Sequence, residues 1–283
     1  MLTSFDHVTI AVNDAQAAIA MYERLLGAPP TWRGEHPELG TQVALFGLSN
    51  ALIELVAPRS GGLEAEGLRA LLAARGEGLQ AIALGTDDAS ACSALLRERG
   101  LRATAPESGQ ARSTDGGLRH YRTVELSTRT TRGLRVLAVE RADGASLRSS
   151  AAPAESAVDA LDHVVIRTAD VEAAIALYGR GLGIRLALDR ELGSRRMLFF
   201  RIGGVTLEVV QDPALRDTDV LYGLAYRVRD IDAAHARMGA SGLAMSEVRA
   251  GNKPGTRVFT VRDGTCGVPT LILHDPAREP VPP

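Results

Sequence analysis

The sequence predicts an α+β protein built from four βαβββ modules in two tandem domains. An internal duplication, a repeated strand–Asp–helix–Gly grammar and the chain length carry that prediction. At 283 residues the chain exceeds one average domain. A shift of 156 positions lays residues 5–27 on 161–183 with thirteen of 23 identical, too many for chance. The matched pairs include Asp6/Asp162, His7/His163, Asp14/Asp170, Tyr22/Tyr178 and Gly27/Gly183. A shift of 154 then lays residues 50–56 on 204–210 and pairs Glu54 with Glu208. Behind each strong repeat a weaker one lays 79–101 on 221–243, where seven of 23 positions agree, so pattern rather than identity carries it.

Within each module the elements follow in a fixed order. A short β-branched run comes first, at 7–12 and 164–168, and an aspartate able to cap a helix follows it: Asp14, Asp88, Asp170 or Asp230. The helix after it is amphipathic, with Ala18, Met21, Tyr22 and Leu25 at helical spacing in the first module, and it stops at Gly27, Gly100, Gly183 or Gly242. Three strand-like runs complete each module, clearest at 43–47 with 51–56 and at 196–202 with 205–210, the latter two joined by the turn pair Gly203-Gly204. Modules at 4–58 and 78–141 make a first domain, 1–141. Modules at 160–213 and 220–276 make a second, 158–283, and the Ala/Ser-rich residues 142–157 link the two.

Composition excludes several functions. A net charge of -2 gives no electrostatic case for nucleic acid or a membrane surface, and no apolar run is long enough to span a bilayer. The start of the chain lacks the basic and apolar regions of a secretory signal, so a cytoplasmic protein is expected. Two cysteines, Cys92 and Cys266, make neither a disulfide framework nor a CxxC metal site. No GxSxG elbow or phosphate-binding loop is present.

The DHVxI opening strand (6–10), the Asp-capped helix ending in YxxLG and the later IELV/LEVV strand resemble the vicinal oxygen chelate superfamily, which includes glyoxalases, extradiol dioxygenases and bleomycin resistance proteins. The resemblance covers nearly the whole chain. It implies that paired modules form a curved cup with helices outside, and that a first-strand His and a last-strand Glu hold a divalent metal at its floor. That metal would act as Lewis acid on two neighbouring substrate oxygens. On this chain the implied ligands are His7, Glu54, His163 and Glu208, with Glu54 and Glu208 also the implied catalytic bases. Imidazole with carboxylate suits Zn, Ni, Co, Fe or Mn. Alternation places His7 on a face with Phe5 and Thr9, and Glu54 with Leu52 and Val56.

In modules two and four the same positions fall on Ala81 and Gly223, and near Val136 and Ile272, none of which ligates. Each cup therefore offers two ligands, and three outcomes stay open. A neighbour (Gln80, Tyr222, His120, Glu125 or His274) completes a site, modules one and three meet within the chain or across a dimer to form a four-ligand set, or there is no metal and the pairs line a ligand cleft. Lys253 (the only lysine), Arg257 and Arg262 flank a strand at 258–261 and are candidates to bind a carboxylate or phosphate of the substrate, against the alternative of a solvated hairpin edge. Trp32, Glu35 and His36 follow the first helix and could form a lid. The expected function is a lyase, isomerase or dioxygenase acting on a small molecule with vicinal oxygens. The alternative is a non-catalytic small-molecule binding protein with a metal-free site, and either would be a monomer or a homodimer.

Overall fold

The computed structural model describes residues 1–59, 61–141, 147–148 and 154–277, so most of the expected linker at 142–157 and the last six residues lie outside the described part. The first half runs β1 (Leu2–Ala11), α1 (Ala15–Leu26), β2 (Trp32–His36), β3 (Thr41–Gly47), β4 (Leu52–Pro58), α2 (Leu63–Arg75), β5 (Gly78–Thr86), α3 (Ala89–Glu98), β6 (Glu107–Ser113), β7 (Leu118–Leu126) and β8 (Arg135–Arg141). The second half repeats the order without a counterpart of α2: β9 (Val158–Thr168), α4 (Val171–Ala174), β10 (Arg185–Leu192), β11 (Arg195–Ile202), β12 (Val205–Gln211), β13 (Val220–Val228), α5 (Ile231–Ala240), β14 (Arg249–Ala250), β15 (Arg257–Val261) and β16 (Thr270–His274).

All four capping aspartates accept backbone N–H groups of the helices that follow them, which offsets part of the unmet donor set at each helix start. Gly27 closes α1 in the left-handed conformation. Helix α4 widens over Ile175–Gly181 into a π-helix, where Leu182 N bonds the carbonyl of Leu177. Gly179 and Gly181 stand there in place of Glu23 and Leu25 of the first repeat, and two glycines weaken the α-helical preference locally.

Modules pair one with two and three with four, through β1 antiparallel to β5 and β9 antiparallel to β13. The two His/Glu pairs therefore sit in separate sheets, and the four-ligand set from modules one and three is not formed within the chain. The first sheet closes into a barrel, β1-β4-β3-β2-β6-β7-β8-β5, because β2 reaches β6 through Gly34↔Ser113 and Glu35↔Arg112. Closure removes the open edge. The second sheet stays open, from β10 to β14. Its counterpart strand β14 is only two residues long and does not pair with β10. Trp32, Glu35 and His36 thus belong to a barrel strand rather than a lid.

The helix-covered faces of both sheets share one apolar core that includes Tyr22, Leu25 and Val8 from the first half and Tyr178, Val164 and Phe259 from the second. Polar contacts fix the seam. Asn50 exchanges hydrogen bonds with both the carbonyl and the N–H of Leu161 at 2.8 and 3.0 Å, and the guanidinium of Arg237 donates to the last carbonyls of α1. Helix α2, which the repeat pattern did not announce, packs Leu68 and Leu72 against Ala11 and Val56. Among the described residues no helix is long and apolar enough to cross a membrane.

Candidate functional site

The first barrel encloses a cavity of about 410 Å³. Strand alternation builds its wall: His7 and Thr9 from β1, Glu54 and Val56 from β4, Tyr121 and Thr123 from β7 all line it. The expected face of His7 needs one correction. A register shift between Phe5 and His7 bulges β1, so Phe5 joins Val8 and Ile10 in the helix-side core while His7 and Thr9 face the cavity. The same shift recurs in β9, where Leu161 pairs with Tyr226 and His163 with Ala225. In each half the bulge leaves the aspartate beside its histidine. Asp6 Oδ1 lies 2.5 Å from His7 Nδ1, and Asp162 Oδ1 lies 2.9 Å from His163 Nδ1.

With Nδ1 held by Asp6, His7 presents Nε2 to Glu54, whose Oε2 is 3.4 Å away. The Thr9 hydroxyl donates to the same carboxylate at 2.7 Å. Arg141 Nε in turn donates to Asp6 at 3.0 Å, so the buried carboxylate has a cation on one side and an imidazole on the other. Burial works against the imidazolium of His7, yet the charges of Glu54 and the hydrogen bond to Asp6 outweigh it and raise its pKa from 6.5 to about 9. Burial pushes Glu54 the other way, but the charge and hydrogen bond of His7 lower it from 4.5 to about 2. For Asp6, burial is again the largest influence and is overcome by Arg141 and His7, which hold it well below the usual range. At neutral pH the floor of the cavity is a closed imidazolium–carboxylate pair.

The donor positions from module two do not complete a metal site. By the pseudo-twofold relation centred on Val8↔Ile82, the module-two counterpart of His7 is Ala81. The counterpart of Glu54 is Leu137, one residue on from the expected Val136. Val136 faces the helix-side core, because Leu137 carries the cavity-facing parity of β8. In the second half the corresponding residue is Leu271 rather than Ile272, which is likewise in the core. Gln80 and Glu125 do line the first cavity, but Glu125 is bound to Arg135 at 3.2 Å. His120 and Tyr222 are exposed, and His274 Nδ1 faces the carbonyl of Val228. Among the described residues no group of three or more His, Cys, Asp or Glu side chains is arranged to hold a metal ion. One imidazole and one carboxylate, already paired with each other, do not fit a resident divalent cation.

The second pair has the same shape: His163 Nε2 lies 3.6 Å from Glu208 Oε2, on an open sheet rather than inside a barrel. Of the three cations expected at that cup, Arg257 is turned away from it. Arg257 shares the parity of Phe259, so it points to the helix side and forms a bidentate bond with Asp232 of α5. Lys253 is bonded to Asp275 at 2.5 Å, and Arg262 is exposed in the turn after β15. The sequence reading did not place His36 and Tyr121 at the cavity, although the alternation Trp32, Gly34, His36 within β2 marks one face of a strand.

With this geometry in hand, the comparisons fall into place. A family model described as Glyoxalase-like domain matches residues 5–154, and that of the Glyoxalase/Bleomycin resistance protein/Dioxygenase superfamily matches 160–270. Among solved structures the chain is similar to a mutant of 4-hydroxymandelate synthase from Streptomyces coelicolor, with a TM-score of 0.72 at 15% identity over 96% of this chain and 92% of that one. It is also similar to the Mn(II)-bound glyoxalase from Novosphingobium aromaticivorans, with a TM-score of 0.66 at 16% identity over 96% and 82%. A hypothetical protein from Staphylococcus aureus gives 0.67 at 9% identity over 97% and 100%. No curated protein matches the chain. At such identities the structures speak for the fold alone, and together with the two family matches they show that this chain belongs to the glyoxalase-like proteins of the vicinal oxygen chelate superfamily.

Proposed function

We propose that the first domain, residues 1–141, is the working half of a small-molecule lyase or isomerase, and that His7 and Glu54 move a proton next to a carbonyl of an oxygen-rich substrate. One observation carries this reading: an imidazole oriented by a buried aspartate and a carboxylate from the adjacent strand meet at the wall of a partly open cavity. A carbonyl oxygen entering the pair accepts a hydrogen bond from the Nε2–H of His7, which favours the enolate that forms. The same entry separates the ion pair. Glu54 then loses the charge that held its pKa down while its burial remains, so it becomes a stronger base when substrate is bound. Asp6, anchored by Arg141, keeps the ring oriented throughout. Because the donor set does not fit a resident metal, no step is assigned to one, and proton transfer, which needs no redox centre, is favoured over dioxygen chemistry.

The second reading, a non-catalytic binding protein, is favoured by the replacement of two donor positions by Ala81 and Leu137. Proton NMR of hydroxyacetone, 2-oxobutyrate and phenylpyruvate in D₂O separates the two. The enzyme reading expects deuterium to enter the carbon next to the carbonyl faster with protein than without, and this gain to be lost in Glu54→Gln. Saturable binding with no acceleration for any probe supports the binding protein instead.

A further inference from the structure

The wall facing the His7–Glu54 pair carries a second polar group. In the barrel order β7 stands four strands from β4, so Tyr121 comes from the side of the cavity opposite Glu54. Its ring lies over Gly109, its cross-strand neighbour in β6, where a Cβ would meet the ring at 2.4 Å. Only glycine leaves that seat. From there the Tyr121 hydroxyl reaches His36 Nδ1 at 2.9 Å, and the two rings meet edge to face with centroids 5.7 Å apart. Both side chains line the cavity. The pair is also tied to the first one. Arg141, which holds Asp6, lies 5.9 Å over the Tyr121 ring.

We propose that His36, held by Tyr121, is the second ligand-recognising group of this cavity, donating a hydrogen bond from Nε2 to an uncharged oxygen of the bound molecule. The proposal rests on the cavity being a small-molecule site. Its chemistry follows from the tautomer. A buried phenol keeps its proton, since burial raises the Tyr121 pKa to about 12. Among the described residues that O–H meets no other acceptor, so it is assigned as the donor to Nδ1, which places the ring proton on Nε2. The alternative tautomer would turn Nδ1–H toward the Gln110 carbonyl at 3.3 Å, a longer contact. Burial also disfavours the charged ring, and this outweighs the nearby Glu54, so His36 offers a neutral donor rather than a cation. A neutral donor brings no charge to offset the burial of a second carboxylate near Glu54, so a carbonyl or hydroxyl oxygen is the less costly partner. The ligand class is therefore a small molecule with two oxygen functions, one for His7 and an uncharged one for His36.

Two readouts on the full-length ¹⁵N-labelled protein test this. The first needs no ligand. Long-range ¹H–¹⁵N correlation spectra assign the tautomer of His36, expected as Nε2–H in the wild type and as Nδ1–H in Tyr121→Phe, where the hydroxyl is gone. A wild-type ring protonated on Nδ1 overturns the proposal. The second is the dissociation constant for hydroxyacetone, read by saturation-transfer NMR. His36→Gln is expected to weaken binding about tenfold, the effect of one lost neutral hydrogen bond, while its folded spectrum is kept. Equal binding by His36→Gln and wild type sinks the role of His36 alone. If the wild type binds neither hydroxyacetone, 2-oxobutyrate nor phenylpyruvate, the small-molecule reading of the cavity fails and this proposal goes with it.

Discussion

Glu54 lies within 3.4 Å of the Nε2 of His7 although the β1–β4 register pairs it with Thr9 and pairs His7 with Leu52. The carboxylate reaches diagonally across the parallel ladder. That reach places Thr9, His7 and Glu54 in one contact group, and Asp6 enters it only because β1 is bulged. Four residues from two strands thus act as a unit, and several consequences can be measured.

Asp6→Asn removes the carboxylate that balances Arg141 and leaves a largely buried guanidinium with a weaker partner. Loss of one member of such a pair costs roughly 3 kcal/mol. Urea denaturation should show a drop of that order at pH 7, together with a lowered pKa of His7 by NMR titration.

The dependence of stability on pH has a defined window. Glu54 has its pKa lowered to about 2 on folding, so its contribution is present above about 4.5 and is lost as pH falls toward 2. His7 has its pKa raised to about 9, so its contribution is complete below about 6.5 and is lost as pH rises through 9. The pair therefore stabilises most between pH 4.5 and 6.5 and fades on the alkaline side. In His7→Gln the fall in stability between pH 6.5 and 9 should flatten. An unchanged alkaline slope would show that the imidazolium is not formed.

The missing donors can be supplied. Ala81→His with Leu137→Glu places ligands at the two module-two positions that correspond to His7 and Glu54, both at the cavity wall. Elemental analysis after dialysis should find about one Zn or Ni per chain in the double variant and far less in the wild type. Stoichiometric metal in the wild type would mean that two donors and the surrounding groups suffice.

Gly109→Ala should displace the Tyr121 ring, since the added Cβ would sit 2.4 Å from it. Overpacking of this kind costs about 1–3 kcal/mol. The useful readout is the His36 tautomer, which should become mixed even where the protein stays folded.

The repeat, the aspartate caps and the strand faces around Glu54 could be read from the sequence because they depend on local chemistry and on a period of two or 3.6. Other features depend on long-range fit. Whether the sheet closes rests on β2 reaching β6, whereas β14, only two residues long, does not pair with β10. The side of β1 that Phe5 takes depends on a bulge, which shifts the period by one. His36 looked like part of a loop because Pro29 and Pro30 precede it and Pro37 follows. Its meeting with Tyr121 joins residues 85 positions apart, and one chain read alone does not reveal that. Arg257 was misjudged for a simpler reason: its parity along β15 turns it toward Asp232 instead of the concave face.

The most direct test of the central claim is deuterium incorporation into hydroxyacetone by protein stripped with a chelator and shown by elemental analysis to be metal-free. The account predicts acceleration at the same rate before and after stripping, abolished by Glu54→Gln and by His7→Gln. Acceleration that disappears on stripping and returns with added Mn or Zn would contradict it and put a metal between the pair.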